Sequence, residues 1–436
     1  MSLSARGSST RGRQSTTLAH RRRWLATLSL LALGPTACRG MHQADSPDRV
    51  RLVFKYQPLG PDPAPMRDLL ADFERQHPNV EIATEQLPND ADSALQYFLT
   101  ALEAGADFDV LVVDIIWVPM FARAGWIADL SQPFPAELIR HDFLAGPAEA
   151  AIVEGRVFAV PWYTDVGLLY YRTDLVPRAP RTYAELKQFA AEARRKDPSV
   201  QGYLWQGRQY EGLVCNAFEA IWGFGGTIET EQLRIDTPAA RAGLGYLRSL
   251  LRGGVSPSSV GSAAEEDSRR VFQSGKGVFM RNWPYAWNEA QAEDSPIRGK
   301  VGFAPLPTAK GEPGHGALGG WQLAVNARSP PARRAAATKL VAHLTSVQAN
   351  LSLATAYGRR PARRAAYEDV YSLSSFDKAL YPILQNARSR PLTPYYNLIS
   401  DTLQGEFSAA LVGIREPEQA LRRAQQQINR LTAAAQ

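Results

Sequence analysis

Carboxylates that stand beside aromatic rings are the groups of this 436-residue chain best suited to chemistry. Asp114 directly follows the predicted buried strand 109–113, and Asp165 follows Trp162 and Tyr163 in the segment 161–165. A ring can cover the apolar C–H face of a sugar while a carboxylate accepts hydrogen bonds from its hydroxyl groups. Each segment also has a structural interpretation, which is a helix N-cap for Asp114 and a buried aromatic turn between two strands for 161–165.

Three further segments carry aromatic or basic groups of the same kind. Trp283 and Tyr285 flank a proline that fixes the local backbone. Trp321 follows Gly319 and Gly320, and two glycines allow the backbone to approach a ligand closely. Arg390 supplies a guanidinium that can donate to two oxygen atoms at once. Each segment alone fits core packing or a turn, and only their joint occurrence favours a ligand site.

Two other functions stay open at this point. Asp114 and Asp165 could be the acid and base of a glycosidase, which requires one carboxyl to be held protonated. The tyrosine pairs 170–171 and 395–396 resemble those of ferric-ion receptors. Successive side chains of a strand point to opposite faces, so the first pair is not expected to bind one ion. The second pair lacks a nearby histidine.

The sequence shows no spacing typical of a metal, phosphate or nucleophile site. The six histidines of the chain have no ligand spacing. The glycine-rich run 223–226 follows a helical pattern and is expected to end that helix rather than hold a phosphate. No Ser-His-Asp set can be proposed from the spacing. We therefore favour a protein without metal, cofactor or catalytic residues.

Alternating strand and helix patterns position these residues. Runs of β-branched residues alternate with apolar residues at helical spacing, which predicts a largely parallel, doubly wound α/β sheet. The predicted strands are 50–56, 80–85, 108–113, two short strands around Glu154-Gly155, 166–171, 301–303 and 323–325. The predicted helices are one that ends near Pro78, then 93–104, 183–195, 237–251, 332–344 and the amphipathic segment 417–431.

The N-terminal segment predicts export. Three arginines at 21–23 precede a short apolar run and the small residues before Cys38, which is the layout of a cleaved secretory leader over 1–37. A cysteine at this position can carry the lipid of a bacterial lipoprotein, and a freely soluble exported protein is the alternative. Residues 38–49 are expected to be a tether. If Cys38 is lipidated, Cys215 has no disulfide partner and is expected to fill core space.

The charge balance argues against a nucleic acid partner. Residues 1–37 hold six arginines and no acidic residue, so 43 basic residues face 43 acidic residues in the remainder. A neutral surface of this kind does not seek phosphate groups. About 400 residues exceed what one core usually organises, so two domains are expected. The apolar fraction of 45% is ordinary for a globular protein.

Several segments resemble the extracytoplasmic solute-binding proteins of carbohydrate ABC importers, and most closely their trehalose/maltose-binding branch. The resemblance extends from about residue 50 to the end of the chain and is most specific in the WPY and GGW motifs. The segments that carry it are DFDVLVVDIIWVPMFARAGWIADL (107–130), VPWYTDVGLLYYRTDL (160–175), AIWGFGG (220–226), MRNWPYAW (280–287) and LGGWQLAVN (318–326).

The resemblance implies a two-lobed periplasmic-binding-protein fold (type II, maltose-binding-like), in which two α/β lobes enclose a ligand cleft. It implies an N-terminal lobe of 50–164 with 307–359 and a C-terminal lobe of 165–306 with 360–436. The chain would cross between the lobes near 164–167, 305–308 and 358–361. By motif, the ligand-binding residues would be Asp114, Tyr163, Asp165, Trp283, Tyr285, Gly320, Trp321 and Arg390.

The first loop matches the resembled family least well. Related proteins often place an acidic residue there, and here Asp62 is the available substitute. The segment 86–90 is a further candidate for ligand contact. The implied protein is a monomeric, extracytoplasmic receptor that binds a disaccharide or small oligosaccharide of the trehalose or maltose class and delivers it to the membrane permease of an ABC importer. Its membrane contact would be through the lipid anchor alone.

Overall fold

The computed structural model describes residues 49–228, 233–368 and 374–433. The predicted leader, Cys38 and all but the last residue of the tether lie outside this part of the chain. No helix among the described residues combines the length and apolar character that a membrane span needs.

Strands and helices alternate through the first half of the chain, and helices dominate its end. The strands are β1 (Val50–Tyr56), β2 (Val80–Gln86), β3 (Val110–Asp114), β4 (Ile152–Val153), β5 (Arg156–Val157), β6 (Val160–Val166), β7 (Leu168–Arg172), β8 (Gln201–Leu204), β9 (Gly277–Asn282), β10 (Val301–Ala304), β11 (Leu318–Val325) and β12 (Arg360–Pro361). The helices are α1 (Ala64–Gln76), α2 (Ala91–Glu103), α3 (Val118–Arg123), α4 (Ala136–Asp142), α5 (Ala145–Ala151), α6 (Tyr183–Lys196), α7 (Glu211–Gly223), α8 (Pro238–Arg252), α9 (Glu265–Val271), α10 (Tyr285–Ala290), α11 (Pro331–Leu344), α12 (Val347–Tyr357), α13 (Ser375–Gln385), α14 (Tyr396–Leu411) and α15 (Pro417–Ala433).

The first sheet has the strand order β12-β6-β11-β3-β1-β2. β1 pairs in parallel with β2 and β3, so the carboxyl ends of these strands lie at one edge. β11 runs antiparallel to both β3 and β6. Every residue of β3 is buried, as the apolar run predicts for a strand that is covered on both faces.

The second sheet has the order β10-β7-β9-β8. β7 is antiparallel to β9 and β10, and β8 is parallel to β9. The chain passes from the first sheet to the second at Gly167, which separates β6 from β7. A Cβ atom at this position would lie 1.9 Å from Glu219 Oε1, so only glycine fits there.

Each sheet is covered by its own apolar cluster. Leu52, Phe54 and Trp162 belong to a cluster on the first sheet, whereas Leu169 and Phe279 belong to one on the second. Helices α7, α8, α14 and α15 pack into the second cluster through apolar side chains such as Ala217, Leu244, Phe407 and Ala424. Cys215 lies in the same cluster and is buried, which confirms the prediction that it fills core space.

Most of the predicted elements are confirmed, with boundaries within a few residues. The predicted largely parallel arrangement is wrong, because antiparallel strand pairs outnumber parallel ones in both sheets. Three local details also differ from the sequence-based interpretation. The segment 161–165 lies inside β6 and is not a turn. The predicted strand 323–325 is the end of the longer β11, so Gly319, Gly320 and Trp321 are strand residues. The helix after Asp114 begins only at Val118, with Trp117 at the N-cap, so Asp114 is not its cap.

Candidate functional site

Three neighbouring strands of the first sheet bring Tyr163, Trp321 and Asp114 into one row. Trp321 of β11 pairs with Asp114 of β3 on one side and with Tyr163 of β6 on the other. Gly320 has a φ of 122°, and a Cβ atom there would lie 2.5 Å from the carbonyl oxygen of Tyr163. A glycine is therefore required for β11 to approach β6 closely at this row.

Asp114 is a buried carboxylate at the carboxyl end of β3. It accepts hydrogen bonds from the Ile116 amide at 3.2 Å and from Arg390 Nη2 at 3.3 Å. Burial raises the pKa of Asp114, although the charge of Arg390 acts in the opposite direction. A buried carboxylate with remaining acceptor capacity can bind hydroxyl groups of a ligand that enters this edge of the sheet.

Arg390 is engaged by protein carboxylates on two sides. Its Nη1 donates to Glu211 at 2.8 Å, and its Nη2 contacts Asp114 and the carbonyl oxygen of Leu318, each at 3.3 Å. Glu211 also accepts from the Tyr396 hydroxyl at 2.8 Å. Only the buried Nε of Arg390 lacks a partner in the described chain. Arg390 is therefore mainly a connector of β3 to α7, and a ligand would meet only part of its guanidinium.

Asp165 lies near the end of β6 and is 5% exposed. Its Oδ1 has no hydrogen-bond partner among the described residues. Burial raises the pKa of Asp165 to about 6, against the lowering effect of three nearby arginines, of which Arg359 is the foremost. The result is a carboxyl group with an unused acceptor atom, as a hydroxyl-binding role requires.

Trp283 and Tyr285 lie beyond β9 of the second sheet and are both half-buried. Trp283 Nε1 donates to Glu265 at 3.3 Å, and the guanidinium carbon of Arg281 lies 3.9 Å from the centre of the Trp283 rings. The Tyr285 hydroxyl donates to Glu266 at 2.8 Å. These contacts fix the two rings while leaving part of each exposed.

Residues of the two sheets meet at two places. A Cβ atom on Gly319 of β11 would lie 3.0 Å from Trp283 and 3.2 Å from the Asp165 side chain, which places these groups side by side. The guanidinium carbon of Arg359 lies 5.4 Å from the Tyr163 ring centre and 5.2 Å from the Tyr285 ring centre. Together with the row on the first sheet and the hydrogen bond from Arg390 to Asp114, these contacts connect all eight predicted site residues.

Sequence reasoning missed several polar groups at this site. Arg359 lies within the predicted crossing 358–361 but was not singled out as a site residue. Glu211 is a buried acid in a helix whose every residue is buried, and its position in an apolar helical pattern is a usable signal. Gln57 is 6% exposed and follows directly after β1. Glu265 carries no sequence signal, because its contact with Trp283 arises only from the packing of α9.

The other two candidates, Asp62 and Asp90, each accept a hydrogen bond at the start of a helix. Asp62 is exposed, and its carboxylate accepts from the Ala64 amide at 2.9 Å at the start of α1. Asp90 caps α2 by accepting from the Ser93 amide at 3.0 Å, and it lies 3.9 Å from Arg208. The first-loop carboxylate therefore stabilises its own helix.

The tyrosine pairs do not form a paired phenolate site. Tyr170 is buried and donates to the carbonyl oxygen of Trp283 at 2.9 Å, whereas Tyr171 packs against a different apolar cluster. Tyr396 donates to Glu211. The described residues contain no group of three or more His, Cys, Asp or Glu side chains arranged to hold a metal ion.

Comparison with known proteins identifies the family. The sequence profile of the bacterial extracellular solute-binding proteins matches residues 57–351. The chain belongs to this family. A probable ABC transporter-binding protein of Deinococcus radiodurans is 36% identical over 364 residues, which is 79% of this chain and 85% of that protein. The mannitol-binding protein of Pseudomonas aeruginosa is 27% identical over 397 residues, which is 83% of this chain and 88% of that protein.

The fold of this solute-binding protein matches a solved sugar complex. The maltose-bound structure of MalE3 from T. maritima superposes with a TM-score of 0.80 at 36% identity, over 87% of this chain and 99% of that one. The predicted type II, maltose-binding-like α/β fold is thereby confirmed. The two relatives matched by sequence are named as binding proteins, and the family is described as extracellular.

Proposed function

We propose that this solute-binding protein is an extracytoplasmic receptor that captures a disaccharide of the trehalose or maltose class and delivers it to the permease of an ABC importer. The observation that carries the proposal is the convergence of Trp283 and Trp321 with Asp114 and Asp165 from two sheets. The similarity to the maltose-bound MalE3 structure and to an ABC transporter-binding protein supports it. Rings bind the apolar faces of the sugar, and the carboxylates accept from its hydroxyl groups.

Delivery to a permease requires the receptor to differ in shape with and without sugar. We assign one lobe to residues 50–164 with 307–359 and the other to 165–306 with 360–436, with the passage at Gly167 as one hinge strand. A ligand shifts an equilibrium only by its preference for one state. Changing the ratio of closed to open receptor from about 1:99 to 99:1 requires that the ligand prefer the closed form by roughly 5.5 kcal/mol. Several aromatic and charged contacts can supply this preference.

The proposed location is outside the cytoplasmic membrane. The leader 1–37 would be removed and Cys38 would carry a lipid anchor, with the globular part acting as a monomer. The only membrane contact would be this anchor, and the neutral charge balance of residues 38–436 agrees with a sugar rather than a nucleic acid as partner.

A thermal-shift panel tests the sugar assignment. A ligand that binds only the native state stabilises it by about 4 kcal/mol at a thousandfold excess over its dissociation constant. We expect trehalose or maltose to raise the melting temperature by several degrees, with glucose and mannitol as matched smaller polyols that raise it less. A rise with mannitol alone would replace the disaccharide by a sugar alcohol. No rise with any of the four would contradict the proposed function.

Sugar binding should weaken as the pH falls through 6. Hydroxyl groups that donate to the Asp165 carboxylate favour its ionised form, so a ligand lowers the pKa of about 6 that burial produces. If the bound form ionises about two units lower, the dissociation constant rises about tenfold between pH 7 and pH 5. Titration calorimetry at these two pH values measures this change.

The matched variant is Asp165→Asn, which has no carboxyl to titrate and should lose this part of the pH dependence. The stability of the fold depends on pH in the opposite direction to the sugar affinity. The reason is that the folded chain takes up the proton at Asp165 more readily than the unfolded chain does. The free energy of unfolding contributed by Asp165 therefore rises as the pH falls from about 6 towards 4. Identical pH profiles of affinity in the wild type and the variant would show that Asp165 does not accept from the ligand.

A further inference from the structure

Gln57 is a buried polar residue that the protein leaves without partners. Its side chain is 6% exposed, and both the Nε2 and Oε1 atoms of its amide are buried without a hydrogen-bond partner among the described residues. A buried amide in this condition destabilises the folded chain, because it loses its bonds to water and gains none in return. An apolar side chain of similar length would avoid this cost, so the amide is expected to have a partner that is not part of the chain.

The position of Gln57 puts it at the edge of the sheet that carries the site. β1 pairs with β3 through Lys55 and Leu111, and continuing this register puts Gln57 level with Val113, one residue before Asp114. Gln57 therefore stands at the end of the strand next to the row formed by Asp114, Trp321 and Tyr163.

A second unpartnered group faces the same loop. Arg359 Nη2 donates to the carbonyl oxygen of Leu59 at 3.1 Å, two residues beyond Gln57, while its buried Nε has no partner among the described residues. No carboxylate of the described residues lies within 4.0 Å of the Arg359 guanidinium, which instead lies over the rings of Tyr163 and Tyr285. Arg359 thus ties the first loop to residues of both sheets and keeps one N–H group unused.

We propose that Gln57 and Arg359 form a ligand subsite at the first loop, which binds hydroxyl oxygen atoms of the captured sugar. An amide donates and accepts, as a hydroxyl does, and the Arg359 Nε adds a second donor. An anionic group could accept from the Gln57 Nε2 but could not donate to its Oε1. The combination of Gln57 and Arg359 therefore fits an uncharged polyol best. This subsite rests on the proposed function and replaces Asp62, whose carboxylate accepts from the first amide of α1.

The test is Gln57→Met, which removes the amide and keeps the length of the side chain. We expect the melting temperature of the ligand-free protein to rise, by about 2 °C, because an unsatisfied buried group is lost. We expect the dissociation constant for maltose, measured by titration calorimetry, to rise about tenfold or more, because the ligand loses two hydrogen bonds. The same substitution would thus stabilise the protein and weaken its binding.

The matched control is Gln206→Met at another buried glutamine. The Gln206 amide donates to the carbonyl oxygen of Arg281 at 2.9 Å and accepts from Asn216 at 3.2 Å, so the substitution should lower the melting temperature. Arg359→Lys provides a second variant, which keeps the charge but loses Nε and should weaken maltose binding about fivefold or more.

The outcomes separate this subsite from the proposed function. If Gln57→Met lowers the melting temperature and leaves maltose affinity within twofold of the wild type, the amide is structural and the subsite is wrong. Maltose affinity within twofold of the wild type in both Gln57→Met and Arg359→Lys overturns it as well. If the wild type binds no sugar, the proposed function fails, whereas a rise in the melting temperature of Gln57→Met still identifies an amide held for a ligand.

Discussion

Replacing Glu219 by alanine is expected to lower the free energy of unfolding by about 3–5 kcal/mol. Glu219 and Arg281 form a buried ion pair, with Arg281 Nε donating at 2.9 Å and Nη2 at 2.5 Å. The side chains are 5% and 0% exposed. Removing the acid leaves a buried guanidinium without its counter-charge, and the Ala317 amide loses the acceptor that it contacts at 2.9 Å. Chemical denaturation followed by circular dichroism measures the change.

The control is Glu149→Ala, which removes an acid from an exposed pair. Glu149 accepts from Arg140 at 2.9 Å, but both side chains are about half exposed, so the loss should stay below about 1 kcal/mol. Equal effects of the two substitutions would show that the buried pair does not stabilise the fold as described. The double variant Glu219→Leu with Arg281→Met should recover part of the loss, because no charge is then left buried.

The second large effect is on affinity. Trp283→Ala and Trp321→Ala are each expected to weaken sugar binding by about 2 kcal/mol or more, which is about thirtyfold in the dissociation constant. Both indoles are half-buried, and each adjoins a carboxylate, Asp165 for Trp283 and Asp114 for Trp321. Their removal takes apolar contact area from the ligand. Titration calorimetry with the sugar selected by the thermal-shift panel measures the loss.

Trp287→Ala is the matched control in the same helix as Tyr285. The Trp287 ring stacks on Phe376 at 4.8 Å and lies 5.4 Å from Phe303, inside an apolar cluster. Its loss should lower the melting temperature while leaving affinity nearly unchanged. Unchanged affinity in both Trp283→Ala and Trp321→Ala would remove the rings from the proposed site.

The sequence allowed the fold to be predicted where local patterns and burial agree. Strand β1 (Val50–Tyr56) was predicted at the same bounds, and helix α8 (Pro238–Arg252) was predicted as 237–251. The segment 161–165 was interpreted as a turn, because Pro161, Thr164 and Asp165 are residue types that favour turns. It is nevertheless a strand, since β11 and β12 pair with it on both sides.

The site was predictable as a set of residues but not as a set of interactions. Trp283, Trp321, Asp114 and Asp165 follow from motifs. The engagement of Arg390 by Glu211 does not, because it depends on how α7 packs near the segment that leads into α14, which is far away in sequence. The same holds for Gln57, whose missing partners are visible only once the surrounding chain is in place.

A crystal structure grown with the sugar selected by the thermal-shift panel tests the central claim most directly. The account predicts one sugar molecule in contact with Trp283 and Trp321, with its hydroxyl groups within hydrogen-bond distance of Asp114 and Asp165. A sugar bound elsewhere on the chain, with these four side chains making no contact to it, would contradict the account.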